Sequence, residues 1–212
     1  SRYRPRSSLD SILVGDCCVH PSNNVRNIGV VFDQTLSLNK HVISVCKSAL
    51  FHLRNIVKIR EYLTVESTKA LIQAFVTCRL DNCNSLLTGS PKYLIAKLQR
   101  IQNCAARLVA KQPRAAHISP VLKSLHWLPV EHRITFKVLL LTYKAINNLA
   151  PSYLSQLLVH YNPTRSLRSA EKYLLEVPKV RLKTYGERAF SVAAPKLWNA
   201  LPLDIKLSPS VP

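Results

Sequence analysis

The sequence has few glycines and few acidic residues. Of its 212 residues, only 4 are Gly and 11 are Asp or Glu. It contains no P-loop, no G-x-G-x-x-G, no H-E-x-x-H and no G-x-S-x-G motif, so it lacks a glycine-rich phosphate loop and the common hydrolase signatures. No two acidic residues are adjacent, whereas two-metal phosphoryl transfer needs carboxylates around a shared centre. We therefore predict no catalytic residues, no cofactor and no small-molecule substrate for this chain.

Methionine and long apolar runs are also missing. Because the chain starts at Ser1 and has no Met, we expect it to be a fragment of a longer protein. The longest aliphatic run, Val138-Leu139-Leu140-Leu141, is far shorter than the roughly 20 residues that span a bilayer. The apolar run Ile12-Leu13-Val14 is likewise too short for a signal peptide. We expect an intracellular protein of the nucleus or cytoplasm that is not secreted and has no membrane partner.

The six cysteines are scattered and form no C-x-x-C pair. The spacings His41-x4-Cys46 and Cys78-x4-Cys83 leave zinc as an alternative, but structural zinc sites use four ligands in closely spaced pairs. Small buried side chains in a reducing compartment are the simpler interpretation. We predict no metal site.

Positive charge dominates the composition. Lys and Arg number 30, which gives a formal net charge of +19, and both halves of the chain share the excess. Such a distributed charge favours a polyanionic partner, so we predict binding to RNA, DNA or an RNA-DNA hybrid. A solvated basic surface and an anionic membrane face are the alternatives.

Periodicity indicates a mainly α fold. Residues 1–22 read as a loose basic lead, and the β-branched run from Val25 to Phe32 predicts one strand. Apolar residues at helical spacing predict four long helices and a short one. Their predicted bounds are 40–59; 64 to about 80, capped by Thr64; a third from Ser90 as cap to Pro113; 129–148; and 151–159. Short strands are predicted at 173–177 and 180–182.

These elements predict a helical bundle preceded by a short β element and followed by an irregular basic C-terminal extension. The predicted domain bounds are 1–36 for the lead and the strand, 37–112 for the bundle, 113–161 for a helical core, and 162–212 for the extension.

Two helices carry cations at regular steps on one side. The first has a row of Lys40, Lys47, Arg54 and Lys58, and the third has a row of Lys97, Arg100, Arg107 and Lys111. Solvated helix faces usually mix charges of both signs, so rows of one sign favour contact with phosphates. A plain solvated face is the alternative. We predict these eight residues as the nucleic-acid-binding site.

The order of several short motifs resembles the reverse transcriptases of non-LTR (LINE-type) retrotransposons, jockey-like and chicken-repeat-like elements in particular. The resemblance covers nearly the whole chain, and its motifs are Arg26-Asn27-Ile28-Gly29-Val30, Asp33, Leu36, His41-Val42, Ser85-Leu86-Leu87-Thr88-Gly89, Leu98-Gln99-Arg100-Ile101-Gln102-Asn103-Cys104-Ala105-Ala106-Arg107, Leu125-His126-Trp127-Leu128-Pro129-Val130, Tyr143-Lys144-Ala145, Ala150-Pro151-Ser152-Tyr153-Leu154 and the stretch from Arg188 to Pro202.

This resemblance implies that residues 25–32 form the last strand of a polymerase palm. Residues 40–111 would be the thumb, which lies along the template-primer duplex, and the rest would be the C-terminal extension. The family is an RNA-directed DNA polymerase whose palm uses Mg²⁺ on paired aspartates. This sequence has no Asp-Asp dipeptide, so we predict that the chain is inactive by itself. A helical protein-interaction module and a non-functional retrotransposon remnant are the alternatives.

Overall fold

The computed structural model describes residues 11–162 and 173–207. The chain is mainly helical with a short β element at its N-terminal end, as predicted. Parts of the predicted basic lead and C-terminal extension lie outside the described residues. The basic residues of these two segments that lie there are Arg2, Arg4, Arg6, Arg165, Arg168 and Lys172, and the final Ser-Pro residues lie there as well.

Two antiparallel hairpins precede the helices. β1 (Ile12–Val14) pairs with β2 (Cys17–Val19), and β3 (Asn24–Asn27) pairs with β4 (Val30–Asp33). The prediction of a single strand over 25–32 is wrong because the chain reverses at Ile28 and Gly29. Both residues have positive φ, 46° and 81°, as the two-residue type I′ turn requires. The first hairpin also corrects the prediction of a loose lead over 1–22.

Helices make up the rest of the regular structure. Their bounds are α1 Asn39–Ile59, α2 Val65–Ile72, α3 Cys78–Asp81, α4 Lys92–Ala110, α5 Ile118–Ser124, α6 Val130–Ile146, α7 Ser152–Ser155, α8 Lys183–Gly186, α9 Phe190–Asn199 and α10 Leu203–Lys206. A π turn, Gln73–Thr77, joins α2 to α3, and 3₁₀ turns lie at Arg60–Tyr62 and Asn84–Leu87. The predicted first and fourth helices are confirmed within about two residues.

The helix starts test the predicted caps. Thr64 caps α2 as predicted, since its hydroxyl accepts a hydrogen bond from the Ser67 amide. Ser90 does not cap α4; Pro91 holds that position, and the Ser90 hydroxyl is buried without a partner in the described chain. The predicted fifth helix is shorter, because α7 ends at Ser155. Neither predicted strand in 173–182 forms, and only Leu175 makes an isolated bridge, with His160.

A shared apolar core holds the hairpin β3–β4, α1, α2, α4 and the start of α6 together. Its most buried side chains include Val42, Ile72, Val76, Leu94 and Leu98, each at most 1% exposed. Burying each such side chain contributes about 1.5 to 3 kcal/mol, so this cluster is the main source of stability. The partly buried Trp127 packs against it.

The C-terminal segment packs back onto the helices. In α9, which lies against α6, the side chains of Val192, Ala194 and Trp198 are buried. Arg188 ties this segment to the bundle, because its guanidinium donates hydrogen bonds to backbone carbonyl oxygens. The acceptors are Leu36, Thr88 and Leu86, at 2.9, 3.3 and 3.4 Å.

The loop into α1 is fixed by the carboxylate of Asp33. Partial burial raises the pKa of this carboxyl, but hydrogen bonds from the Ser37 amide, the Thr35 and Ser37 hydroxyls and the Leu38 amide lower it more, to about 2. The Ser37 amide lies 2.9 Å from Oδ1, and the Thr35 hydroxyl 2.8 Å. The carboxylate therefore stays charged at ordinary pH and sets where α1 begins.

His41 joins the first turn of α1 to the hairpin. Its side chain is only 5% exposed, and Nδ1 accepts a hydrogen bond from the Val31 amide at 3.4 Å. An accepting nitrogen carries no proton, so this contact needs the neutral ring. Burial lowers the pKa of His41 from its usual 6.5.

This burial predicts that the protein is less stable in mild acid. The pKa of His41 in the folded protein lies below the unfolded value of 6.5. The neutral ring therefore contributes fully to stability above pH 6.5, and this contribution is lost as the pH falls from 6.5 through the lower folded-state pKa. We expect the free energy of unfolding, measured by urea denaturation, to fall from pH 7.5 to about 5.5. His41→Asn keeps an acceptor but cannot titrate, so it should remove most of this drop. His132→Asn, at an exposed position, is the control and should keep it; equal pH dependence in all three proteins would contradict the assignment.

Candidate nucleic-acid interface

The two helices that carry the predicted rows lie side by side and run in the same direction. Near their starts, Cys46 of α1 lies close enough to Lys97 of α4 for the ammonium to act on the thiol. Near their ends, Arg60 reaches the carbonyl groups of Leu108 and Val109. Since both pairs proceed from start to end along each helix, α1 and α4 are roughly parallel.

Arg60 is the residue that joins the ends of the two helices. It follows α1 directly, is 6% exposed, and has no acidic partner among the described residues. Its Nε donates to Leu108 O at 3.0 Å, Nη2 to Val109 O at 3.1 Å and Nη1 to Leu63 O at 2.8 Å. Two of these oxygens belong to the last turn of α4, where the partial negative charge of the helix favours a cation.

Helix geometry places both rows on one side of this pair. Successive residues of a helix are rotated by 100° about its axis. On α1, half-buried Cys46 therefore lies between the buried side of the helix and the side that carries Lys47 and Arg54. On α4, Lys97 lies between the buried side of the helix and the side that carries Arg100. Cys46 and Lys97 lie between the two helices. Because the helices are parallel, the cations beyond Cys46 on α1 and those beyond Lys97 on α4 project from the same open face. We call this surface the α1–α4 face.

The structure exposes the first row completely and the second in part. Lys40, Lys47, Arg54 and Lys58 are all exposed on α1, and so are Arg100 and Lys111 on the second row. Lys97 is half-buried, with its ammonium 5.5 Å from the centre of the Tyr93 ring. Arg107 is half-buried as well; its Nη2 donates to Ala116 O at 3.3 Å. Six of the eight cations are therefore open to a ligand, Lys97 is partly so, and Arg107 is held by the loop after α4.

Neither helix that carries these rows contains an acidic residue. The segments 34–60 and 82–130, which contain α1 and α4, have no Asp or Glu. None of the eight cations forms an ion pair with another described residue. The ion pairs within 11–162 and 173–207 lie elsewhere and join Lys69 to Glu66, Arg133 to Asp81 and Lys196 to Glu187.

Apolar side chains line the space between the rows, which the sequence analysis did not anticipate. Ile43, Leu50 and Val57 of α1 are 37%, 36% and 55% exposed on the side toward α4. Beneath them, burial raises the pKa of the Cys46 thiol, although the nearby Lys97 lowers it. The face therefore has an apolar floor with cations on both sides. Arg60 was also missed, because an arginine just past a basic helix has no sequence signal that distinguishes a buried side chain from a solvated one.

Other kinds of site are not found in the described part of the chain. No group of three His, Cys, Asp or Glu side chains there could hold a metal ion. No helix within 11–162 or 173–207 is long and apolar enough to cross a membrane. No family model, curated protein or solved structure matches this chain.

We predict that Arg60 stabilises the arrangement of α1 and α4. Arg60→Met keeps an apolar stem of similar length but leaves three carbonyl oxygens without their donor, so we expect the free energy of unfolding to fall by about 2 kcal/mol. Urea denaturation followed by circular dichroism measures this change.

Arg54→Met is the matched control, because Arg54 belongs to the same helix but is exposed. It should change the free energy of unfolding by no more than about 0.5 kcal/mol. If the two variants were equally stable, Arg60 would not be the contact that holds the helix ends together.

Proposed function

We propose that the α1–α4 face binds the sugar-phosphate backbone of nucleic acid, largely without regard to sequence. The observation that carries this proposal is that two rows of cations, which have no ion-pair partner within residues 11–162 and 173–207, flank one surface of two parallel helices. Phosphate contacts of this kind set the position and affinity of a nucleic acid, whereas sequence is read at base edges. The net charge of +19 favours the same class of ligand.

The spacing of the first row suits an extended ligand with regularly spaced negative charges. Lys40, Lys47 and Arg54 follow each other at steps of seven residues, which is about 10.5 Å along the helix axis. Successive phosphates of one duplex strand are separated by about 3.4 Å along the duplex axis, so such a step corresponds to about three nucleotides. Lysine and arginine side chains are long enough to adjust to the backbone around these points, and the apolar floor between the rows suits the sugars.

We further propose that the chain is the thumb-like and C-terminal part of a LINE-type reverse transcriptase. The ordered motifs from Arg26 to Pro202 support this family, and a short β element followed by a helical bundle agrees with it. In this proposal the chain holds the template-primer, and the Mg²⁺-binding aspartates belong to a palm outside this sequence. RNA, DNA and RNA-DNA hybrids are all candidate ligands, with the hybrid expected for template-primer.

A triple charge reversal tests the proposed interface. We expect Lys47→Glu/Arg54→Glu/Arg100→Glu to weaken binding of an RNA-DNA hybrid at least tenfold at about 50 mM salt. The slope of log affinity against log salt should become shallower by about 3, because each lost phosphate contact lowers it by about 1. Fluorescence anisotropy of a labelled hybrid at several salt concentrations measures both quantities. Arg107 is left unchanged because it has a structural hydrogen bond.

The control reverses three exposed cations outside α1 and α4: Lys123, Lys179 and Arg181. Both triple variants reduce the formal net charge from +19 to +13, so a difference between them reports position and not total charge. Equal losses in the two variants would show that binding is diffuse and has no defined face. Binding of an acidic protein that survives nuclease treatment and is lost in the first variant would identify a protein partner instead.

A further inference from the structure

A groove lies on the side of α1 that is turned away from α4, between α1 and the segment from α2 through the π turn. It has a volume of about 450 Å³, within the range of roughly 300 to 1,000 Å³ typical of small-ligand sites. Its lining includes His52, Asn55, Lys58, Ile59, Leu71 and Phe75. We call it the aromatic groove.

Three rings form an ordered cluster at this groove. The rings of His52 and Phe75 are stacked, with centroids 5.2 Å apart and planes 19° from parallel. Phe51 meets His52 edge-on at 5.3 Å and 81°. Phe51 and Phe75 are nevertheless 60% and 41% exposed, so much of their surface is free of contact within the described chain.

The cluster is held in place by Arg79 and by the local helix geometry. Arg79 Nε donates to the carbonyl of Phe75 at 3.0 Å, and Nη2 lies 3.0 Å from Nε2 of His52. Phe75 is the central residue of the π turn Gln73–Thr77, a widened helical turn often found at functional sites. Phe75 falls within the regular helix predicted from 64 to about 80, and the structure leaves its side chain partly open beside α1.

The groove is continuous with the first row of cations. Lys58 belongs to that row and also lines the groove. On α1, Phe51 lies between the row and the groove, because it projects about 40° from the direction of Lys47 and Asn55 follows about 40° further around. A strand whose phosphates contact Lys47 and Arg54 therefore passes over Phe51 before it reaches the groove.

From this arrangement we propose that the aromatic groove takes an unpaired nucleobase of a strand bound along the first row. This inference rests on the proposed function and names the part of the ligand that the α1–α4 face leaves out. Phe75 in the groove and Phe51 beside it provide surfaces on which a base stacks. The amide of Asn55 provides a donor and an acceptor for a base edge, and Lys58 provides a cation for the adjacent phosphate. Stacking, edge contacts and a basic groove together characterise single-strand sites.

Charge distinguishes this occupant from an apolar peptide. The groove is lined by Lys58, is braced by Arg79, and has no acidic side chain in its lining. A nucleotide matches both features at once, since its base is planar and aromatic and its phosphate is negative. Stacking tolerates any base, so we expect no strong sequence preference.

The test uses the full chain and a single-stranded oligonucleotide of about 12 nucleotides with one 2-aminopurine, whose fluorescence is quenched when the base stacks. The strand is made as DNA and as RNA of the same sequence, and a blunt RNA-DNA hybrid is the second ligand. The variants are Phe51→Leu/Phe75→Leu and, because Phe75 is partly buried, Phe51→Leu alone. Phe136→Leu is the control, since Phe136 is 55% exposed on α6, away from the groove.

We expect the double variant to bind the single strand about tenfold more weakly and to lose the quenching caused by the protein. Phe51→Leu should show a smaller loss in the same direction, and Phe136→Leu none. The salt slope should not change, because no phosphate contact is removed. Binding of the blunt hybrid should be the same in all variants.

Two results would overturn the inference, and they can be told apart. If the hybrid binds and the triple charge reversal abolishes this binding, but the ring variants keep full quenching and affinity for the single strand, the groove has another occupant and only the present inference fails. If the unmodified protein binds neither ligand, the proposed function fails, and the inference fails with it.

Discussion

The hydrogen bonding of the buried Arg60 guanidinium is the constraint on which the α1–α4 face depends. A buried cation is costly unless its donors are satisfied, and here the carbonyls of Leu63, Leu108 and Val109 accept three of its hydrogen bonds. Two of these acceptors exist only where α4 ends, so the end of α1 must lie beside the end of α4. Together with the approach of Lys97 to Cys46 nearer the helix starts, this contact holds the helices parallel and both cationic rows on one surface.

Arginines bonded to main-chain carbonyls recur through this structure. With 30 basic and 11 acidic residues, carboxylate partners are scarce, and Arg188 and Arg107 also donate to backbone oxygens. Carbonyls at helix ends and turns are numerous and fixed in direction, so arginine can use them to join distant segments, as Arg188 joins the C-terminal part to Leu36 and Thr88. The chain thereby uses part of its charge internally and leaves the rest on its surface.

Repulsion among the remaining surface charges destabilises the folded state only slightly. Two cations about 10.5 Å apart in water repel each other by about 0.4 kcal/mol, and physiological salt reduces this further. Burial of a single core side chain such as Leu94 or Leu98 outweighs several such pairs. The rows can therefore persist on the folded protein without a bound ligand, while the apolar core sets the fold.

Elements with a strong local signal could be predicted from the sequence. The periodicity of α1, the Thr64 cap and the mainly helical class follow from side chains close in sequence, and both rows were visible because a helix maps fixed steps onto one side. The sequence could not determine whether the two rows face the same way, whether Arg60 is buried, or that Phe75 lies open on a π turn beside His52. These features were decided by the tertiary structure, because each depends on groups more than 20 residues apart in the chain or on how one helix packs against another. Local propensity carries no information about such contacts. The single strand predicted over 25–32 was wrong because β-branched residues favour a strand on both sides of the turn at Ile28 and Gly29, and the chain reverses there.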